Sequence, residues 1–191
     1  MTTFDEQFRA AVAALDAVDA SFALVGGIAV SVRTEPRFTR DVDFAVAVAD
    51  DASAEQLVRD LAGHGYAAEA VVEQDAVARL ATVRLVSEQN GPVDLLFASS
   101  GIENEIVAAA EILQVLPELA VRVAQSWHLV ALKLLSMDEG RPQDRGDLAQ
   151  LLPGISDQDR FLVEEACALI VARGYARGRD LVSSFRELLR Q

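Results

Sequence analysis

Two short stretches decide the fold of this chain: Phe22-Ala23-Leu24-Val25-Gly26-Gly27 and, after thirteen intervening residues, Asp41-Val42-Asp43-Phe44-Ala45-Val46-Ala47-Val48. The first reads as a short buried strand ending in a diglycine turn. The second reads as a strand in which two acids alternate with apolar residues. Residues i and i+2 of a strand share a face. Asp41 and Asp43 are therefore expected side by side, with Val42, Phe44, Val46 and Val48 turned to the core behind them. Adjacent carboxylates repel unless one is protonated or a cation lies between them. Mg²⁺, or Mn²⁺ in its place, bound through oxygens together with substrate phosphates, resolves that repulsion. The stretch reads as a holder for a metal ion and a nucleoside triphosphate (NTP).

The rest of the chain sets limits around this site. Its 191 residues, 51% of them apolar, suit one α/β-type domain or a small domain with a helical appendage. Gly and Pro are too sparse for extensive disorder. The first residues, Met1-Thr2-Thr3-Phe4-Asp5-Glu6-Gln7, lack the basic and apolar regions of a signal peptide. No apolar run reaches the roughly 18 residues of a membrane span. The lone Cys167 can form no internal disulfide and reads as a buried, inert thiol. A cytoplasmic protein without membrane contact is the expectation. A net charge of −13 excludes coating of nucleic acid through bulk electrostatics. The last 21 residues differ, with Arg173, Arg177, Arg179, Arg186 and Arg190 against Asp180 and Glu187. Contact with an anionic polymer is expected to be local and near the C-terminus.

Apolar spacing predicts helices over 3–19, 28–33, 53–64 (capped by Ser53), 126–138, 143–152, 157–172 and 180–190. Strands are expected over 22–25, 41–48, 66–73, 77–88 and 93–97, with shorter extended pieces at 112–116 and 120–123. Asn90-Gly91-Pro92 is a turn signal. The fold class is α+β: a mixed sheet flanked by helices over 1–124, then a helical C-terminal part, 125–191, packed on that core.

Strand, Gly-Gly, helix, then a strand bearing Asp-x-Asp resembles the nucleotidyltransferase superfamily with the polymerase-β-like fold. Glycines let backbone approach phosphate oxygens, and the N–H groups at a helix start attract anions. The resemblance implies a third carboxylate on a neighbouring strand. Asp94, in Pro92-Val93-Asp94-Leu95-Leu96, matches it, as metal ligand and base toward the attacking hydroxyl. A narrower resemblance covers nearly the whole chain. Arg37-Phe38-Thr39-Arg40-Asp41-Val42-Asp43, the late Val130-Ala131-Leu132-Lys133 and then Arg141-Pro142-Gln143-Asp144-Arg145-Gly146-Asp147-Leu148 are similar to the AbiEii-type toxin nucleotidyltransferases, including the MenT group. Gln143 stands where that family commonly has Lys. The family implies transfer of a nucleoside monophosphate from an NTP to an acceptor, with tRNA 3′ ends as the MenT acceptor class and a cognate antitoxin as partner.

Carried onto this chain, the resemblance gives Asp41, Asp43 and Asp94 the metal. Gly26, Gly27, Thr39, Arg40, Lys133, Arg141 and Asp144 fall to the nucleotide. Asp147 either orients Lys133 or binds base or ribose. Lys133 is the only lysine among 17 basic residues, and no acid lies three or four positions from it. A compact ammonium in that setting suits a triphosphate. Asp144 and Asp147 read equally as acids favoured in a helix's first turn. A phosphate on Thr39 would add negative charge beside the triphosphate site and is expected to block NTP binding. Arg173-Gly174-Tyr175-Ala176-Arg177-Gly178-Arg179 could clamp RNA phosphates with Tyr175 stacked on a base, or be a solvated loop. His64 and His128 read as structural. Two rivals stand beside the RNA-modifying toxin. One is an adenylyltransferase for a small aminoglycoside-type molecule or a protein. The other is a catalytically silent nucleotide-binding module.

Overall fold

The computed structural model describes residues 3–37, 39, 41–74, 77–88, 91–138 and 140–190. Thr3 opens helix α1 (Phe4–Ala17) with a capping box, its hydroxyl accepting from the Glu6 N–H while the Glu6 carboxylate accepts from the Thr3 N–H. Strand β1 (Phe22–Val25) is buried at every position and runs straight into α2 (Gly26–Arg33). Then come β2 (Val42–Val46), α3 (Asp51–Ala62), β3 (Ala67–Gln74), β4 (Arg79–Val86) and β5 (Val93–Leu96). Helix α4 (Glu103–Ala109), β6 (Glu111–Leu116) and β7 (Leu119–Val123) complete the sheet region. Helices α5 (Ser126–Ser136), α6 (Pro142–Leu151), α7 (Asp157–Ala172) and α8 (Leu181–Leu188) follow.

The seven strands form one mixed sheet in the order β3-β4-β5-β2-β1-β7-β6. β1 is antiparallel to β2, and β2 is parallel to β5. The C-terminal end of β1 therefore meets the N-terminal ends of β2 and β5 at one end of the sheet. One apolar core holds Phe8, Phe44 and Leu95 from the sheet region together with Leu129, Leu134, Leu148 and Phe185 from the helical stretch.

Three details depart from the sequence reading. β2 begins at Val42, so Asp41 stands just before the strand. The cap of α3 is Asp50, whose carboxylate accepts the Ser53 N–H at 2.8 Å; Ser53 lies inside the helix. Helix α4 was not anticipated because seven residues are too few to show a 3.6-residue period. It is anchored by Glu103, which is buried and accepts from the N–H groups of Ser99 and Ser100.

Candidate active site

Val25 lies opposite Asp43 across β1–β2, and Asp43 lies opposite Asp94 across β2–β5. Gly26 has a φ of +67°, which glycine adopts without steric cost. A Cβ there would strike the Asp43 carboxylate. Conformation and close approach thus both demand glycine. At Gly27 a Cβ would lie 2.6 Å from Arg37 Nη2 and 3.0 Å from Thr39 Oγ1, so the loop carrying Arg37 and Thr39 folds over the start of α2. Ser31 holds that loop in place: its hydroxyl donates to the Gly27 carbonyl at 3.0 Å and accepts from the Arg37 N–H at 3.3 Å.

The three predicted carboxylates differ in environment. Asp41 is exposed and Asp43 partly buried. Burial pushes the Asp43 carboxyl up to about 7, and the charges of Asp94 and then Asp41 add to the shift. Asp94 is partly buried and is gripped by Arg84, which faces it across the antiparallel β4–β5 pair. Arg84 Nε donates to Oδ1 at 2.8 Å and Nη2 to Oδ2 at 2.7 Å, a fork that occupies both carboxylate oxygens. This pairing raises the Arg84 pKa further. Among the described residues no three His, Cys, Asp or Glu side chains gather as a ready metal cluster.

A second cluster lies where α5 and α6 meet the Arg37 loop. Lys133 Nζ lies 2.7 Å from Asp144 Oδ1 and 2.8 Å from Asp147 Oδ2. The Ser136 hydroxyl donates to Asp144 Oδ2 at 3.0 Å. Arg37 Nε and Nη2 donate to Asp147 Oδ1 and Oδ2 at 2.5 and 2.8 Å. Both acids are buried. Sequence had left Lys133 without a local acid; its partners come from the next helix, 11 and 14 residues on. A continuous chain of contacts runs from Gly27 through Ser31, Arg37 and Asp147 to Lys133. Arg40, expected to bind nucleotide, lies outside the described residues. Arg141 is the N-cap residue of α6 and makes no side-chain cap bond.

The basic tract is less open than expected. Arg173 forks onto Glu105 at 3.0 and 2.6 Å and donates to the Gly101 carbonyl. Arg179 donates to the carbonyls of Leu135 (2.9 Å) and Met137 at the end of α5. Tyr175 is buried against Gly101 and presents no face for base stacking. Arg177 differs from its neighbours. Burial, then the nearby guanidiniums of Arg179 and Arg141, lower its pKa. His128 is buried and held well below its usual range, at about 4, by desolvation. Cys167 is buried, and burial pushes its thiol up to about 12. Near neutral pH His128 is therefore an uncharged imidazole and Cys167 a protonated thiol.

Sequence reasoning passed over two residues. Arg37 was read only as part of a motif. Arg84 reads only as an arginine on a strand, although that strand pairs antiparallel with the strand of Asp94.

A strand ending on a glycine whose Cβ space is filled by a carboxylate, beside a second carboxylate one strand away, is the arrangement of a polymerase-β-like nucleotidyltransferase. The chain belongs to the AbiEii family, described as nucleotidyl transferase toxins of type IV toxin–antitoxin systems, whose model matches residues 9–191. Among solved structures it is similar to an antigenic nucleotidyltransferase-like protein from Paracoccidioides brasiliensis, at 16% identity over 94% of this chain and 91% of that one, with a TM-score of 0.51. It also matches a lincomycin-bound lincosamide antibiotic adenylyltransferase, LnuA, at 14% identity over 78% of this chain and 96% of that one, with a TM-score of 0.48. No curated protein sequence matches the chain significantly. No helix among the described residues is long and apolar enough to cross a membrane.

Proposed function

We propose that this nucleotidyltransferase moves a nucleoside monophosphate from an NTP to a hydroxyl of an RNA acceptor, with the tRNA 3′ end as the acceptor class and a cognate antitoxin restraining it. The register of Asp43 beside Asp94, closed over by Gly26, carries this reading. The residues fit a divalent cation. Asp43 is a partly buried carboxylate pushed up to about 7 by desolvation and then by the charges of Asp94 and Asp41, a repulsion that a cation bound among these oxygens would relieve. Asp41 and Asp43 would hold Mg²⁺ or Mn²⁺, with Asp94 assisting. The ion would supply charge neutralisation at the phosphates.

The protein's own groups do the rest. The N–H groups at the start of α2 and the Lys133 ammonium meet the triphosphate. Asp147 and Asp144 fix Lys133, so its charge is placed before substrate arrives. Thr39 and Arg141 border the nucleotide. The acceptor hydroxyl attacks the α-phosphorus in line, the bond to the bridging oxygen breaks, and pyrophosphate leaves. Asp94 takes the hydroxyl proton. Arg177, with Arg141 beside it, meets acceptor phosphate; Arg173 and Arg179 hold the tract that presents it.

The test is to incubate the protein with total RNA and each α-³²P-labelled NTP, alongside Asp41→Ala. Label on one RNA class from one nucleotide, lost in the variant, is the expected result. The net charge of −13 favours one rival, a small cationic acceptor of the aminoglycoside type. Label entering such a molecule and not RNA would replace the present reading with that one. Nucleotide binding without pyrophosphate release in Mg²⁺ or Mn²⁺ would leave a silent binding module.

A further inference from the structure

Arg84, Asp94 and Asp43 form a row across three adjacent strands, one residue from each of β4, β5 and β2 at matching register. Two of the three are locked together. The Arg84 fork takes both oxygens of Asp94, whereas the Asp43 side chain makes no hydrogen bond with any described residue. A bidentate guanidinium fixes the plane of a carboxylate as well as its charge. A carboxylate held in this way has a lone pair on each oxygen committed to the guanidinium.

We propose that Arg84 is a positioning residue that controls whether Asp94 is available: it competes directly with a divalent cation for the Asp94 carboxylate. This rests on reading the three acids as the metal site. Hard dications bind through carboxylate oxygens, and here both oxygens of the third acid are already occupied by a side chain of the same protein. The nucleotide-free enzyme therefore keeps an incomplete site, with Asp41 and Asp43 open and Asp94 withheld. A cation that chelates Asp94 through the two lone pairs the guanidinium holds must displace the fork. Arg84 is then released on the sheet face beside the reacting groups, and Asp94 is freed for its part in the reaction. An ordinary cross-strand ion pair would stabilise the β4–β5 pairing and affect cation affinity only through its general field, equally with or without the Asp94 carboxylate.

Removing any positive charge near acids favours cation binding, so the test must separate competition for one carboxylate from a general field. Mn²⁺ binding to the nucleotide-free protein is measured by the electron paramagnetic resonance signal of free Mn²⁺. The variants are Arg84→Gln, Arg84→Lys, Asp94→Asn and the Arg84→Gln/Asp94→Asn double variant. A hydrogen-bonded charge pair of this kind corresponds to roughly a tenfold change in affinity. Arg84→Gln is expected to tighten Mn²⁺ binding by about that factor when Asp94 is present, and by less than about twofold when residue 94 is Asn. Arg84→Lys keeps the charge and loses the fork, and should recover part of the tightening. It carries the same test should Arg84→Gln fail to fold. Equal tightening in both backgrounds, or none, overturns the inference while leaving the metal site standing. Absence of Mn²⁺ binding in every protein, wild type included, overturns the metal site and the inference together.

Discussion

Arg37 grips both oxygens of Asp147, at 2.5 and 2.8 Å, and Asp147 is wholly buried. The pair joins the loop over the diglycine to helix α6, and through Lys133 to α5. Removing one member of a buried pair leaves the other charge uncompensated, at about 3–5 kcal/mol. Arg37 is about one quarter exposed, so the lower part of that range applies. Asp147→Asn is expected to lower the urea midpoint by the equivalent of about 3 kcal/mol and to reduce nucleotide transfer, because Lys133 loses one of its two acids. A wild-type midpoint in this variant would remove the pair from the account of the site.

Two glycine substitutions should have opposite signs. At Gly26 alanine meets a φ of +67° and the Asp43 carboxylate. The conformation alone costs about 1–2 kcal/mol, and the clash displaces a carboxylate the reaction uses. Gly26→Ala should lose both stability and transfer. Gly146 lies within α6, where an added Cβ meets nothing within 4 Å. Gly146→Ala should stabilise by about 0.5–1 kcal/mol and leave transfer intact. Thermal melts and a transfer assay on the two variants decide both points.

The fold was legible because β1, β2 and β5 are short apolar runs punctuated by Gly26-Gly27 and Asn90-Gly91-Pro92, and because the late helices keep a clear period. The carboxylates were legible because an acid inside an apolar strand needs a reason. The partners of those acids were hidden. Lys133 draws its acids from another helix, and Arg37 reaches across 110 residues to Asp147. Neither contact leaves a trace in local spacing. Tyr175 and Arg179 misled for a related reason. A Gly- and Arg-rich stretch looks solvated in sequence, yet here its side chains close the end of α5 and cover Gly101.

Asp43 makes stability depend on pH. Its folded-state pKa, about 7, lies above its ordinary value of 3.8. The folded state therefore holds more proton between those limits, and stability must fall as pH rises through that interval. One group contributes at most about 1.4 kcal/mol per pH unit. The carboxylates with lowered values, such as Asp50 and Asp51, act in the opposite sense at lower pH, and His128, held at about 4 against an ordinary 6.5, acts in the opposite sense up to about 6.5. The Asp43 contribution is therefore read as a difference: from pH 5 to 8 the unfolding free energy of the metal-free wild type should decline relative to that of Asp43→Asn, in which the His128 contribution is unchanged. Cations bind the deprotonated carboxylate, so Mg²⁺ should raise the melting temperature more at pH 8 than at pH 6. A pH-independent Mg²⁺ effect would separate Asp43 from the metal.

Arg177 should act on the acceptor alone. Arg173 and Arg179 are committed to Glu105 and to backbone carbonyls, whereas Arg177 sits against the like charges of Arg179 and Arg141. A phosphate would relieve that repulsion. Arg177→Ala is expected to raise KM for RNA several-fold and leave KM for NTP unchanged, with the RNA effect shrinking as salt is added. Steady-state kinetics at two salt concentrations separate this from a loss of folding, which would alter both constants.

Thr39 offers a point of control. Its hydroxyl lies beside the place a Gly27 Cβ would occupy, next to the Arg37 guanidinium. A phosphate there would bring about −1.5 to −2 charge and three acceptor oxygens. It would sit at the start of α2, where the triphosphate is expected. It would also give Arg37 a second anion to pair with, loosening the hold on Asp147 and, behind it, Lys133. Both effects oppose nucleotide binding. Thr39 phosphorylation should weaken NTP binding at least tenfold, and Thr39→Glu should reproduce part of the loss. Thr39→Val removes the hydroxyl without adding charge and should weaken NTP binding far less than Thr39→Glu. Equal NTP affinities for the phosphorylated and bare proteins, read by calorimetry, would exclude this residue as a switch.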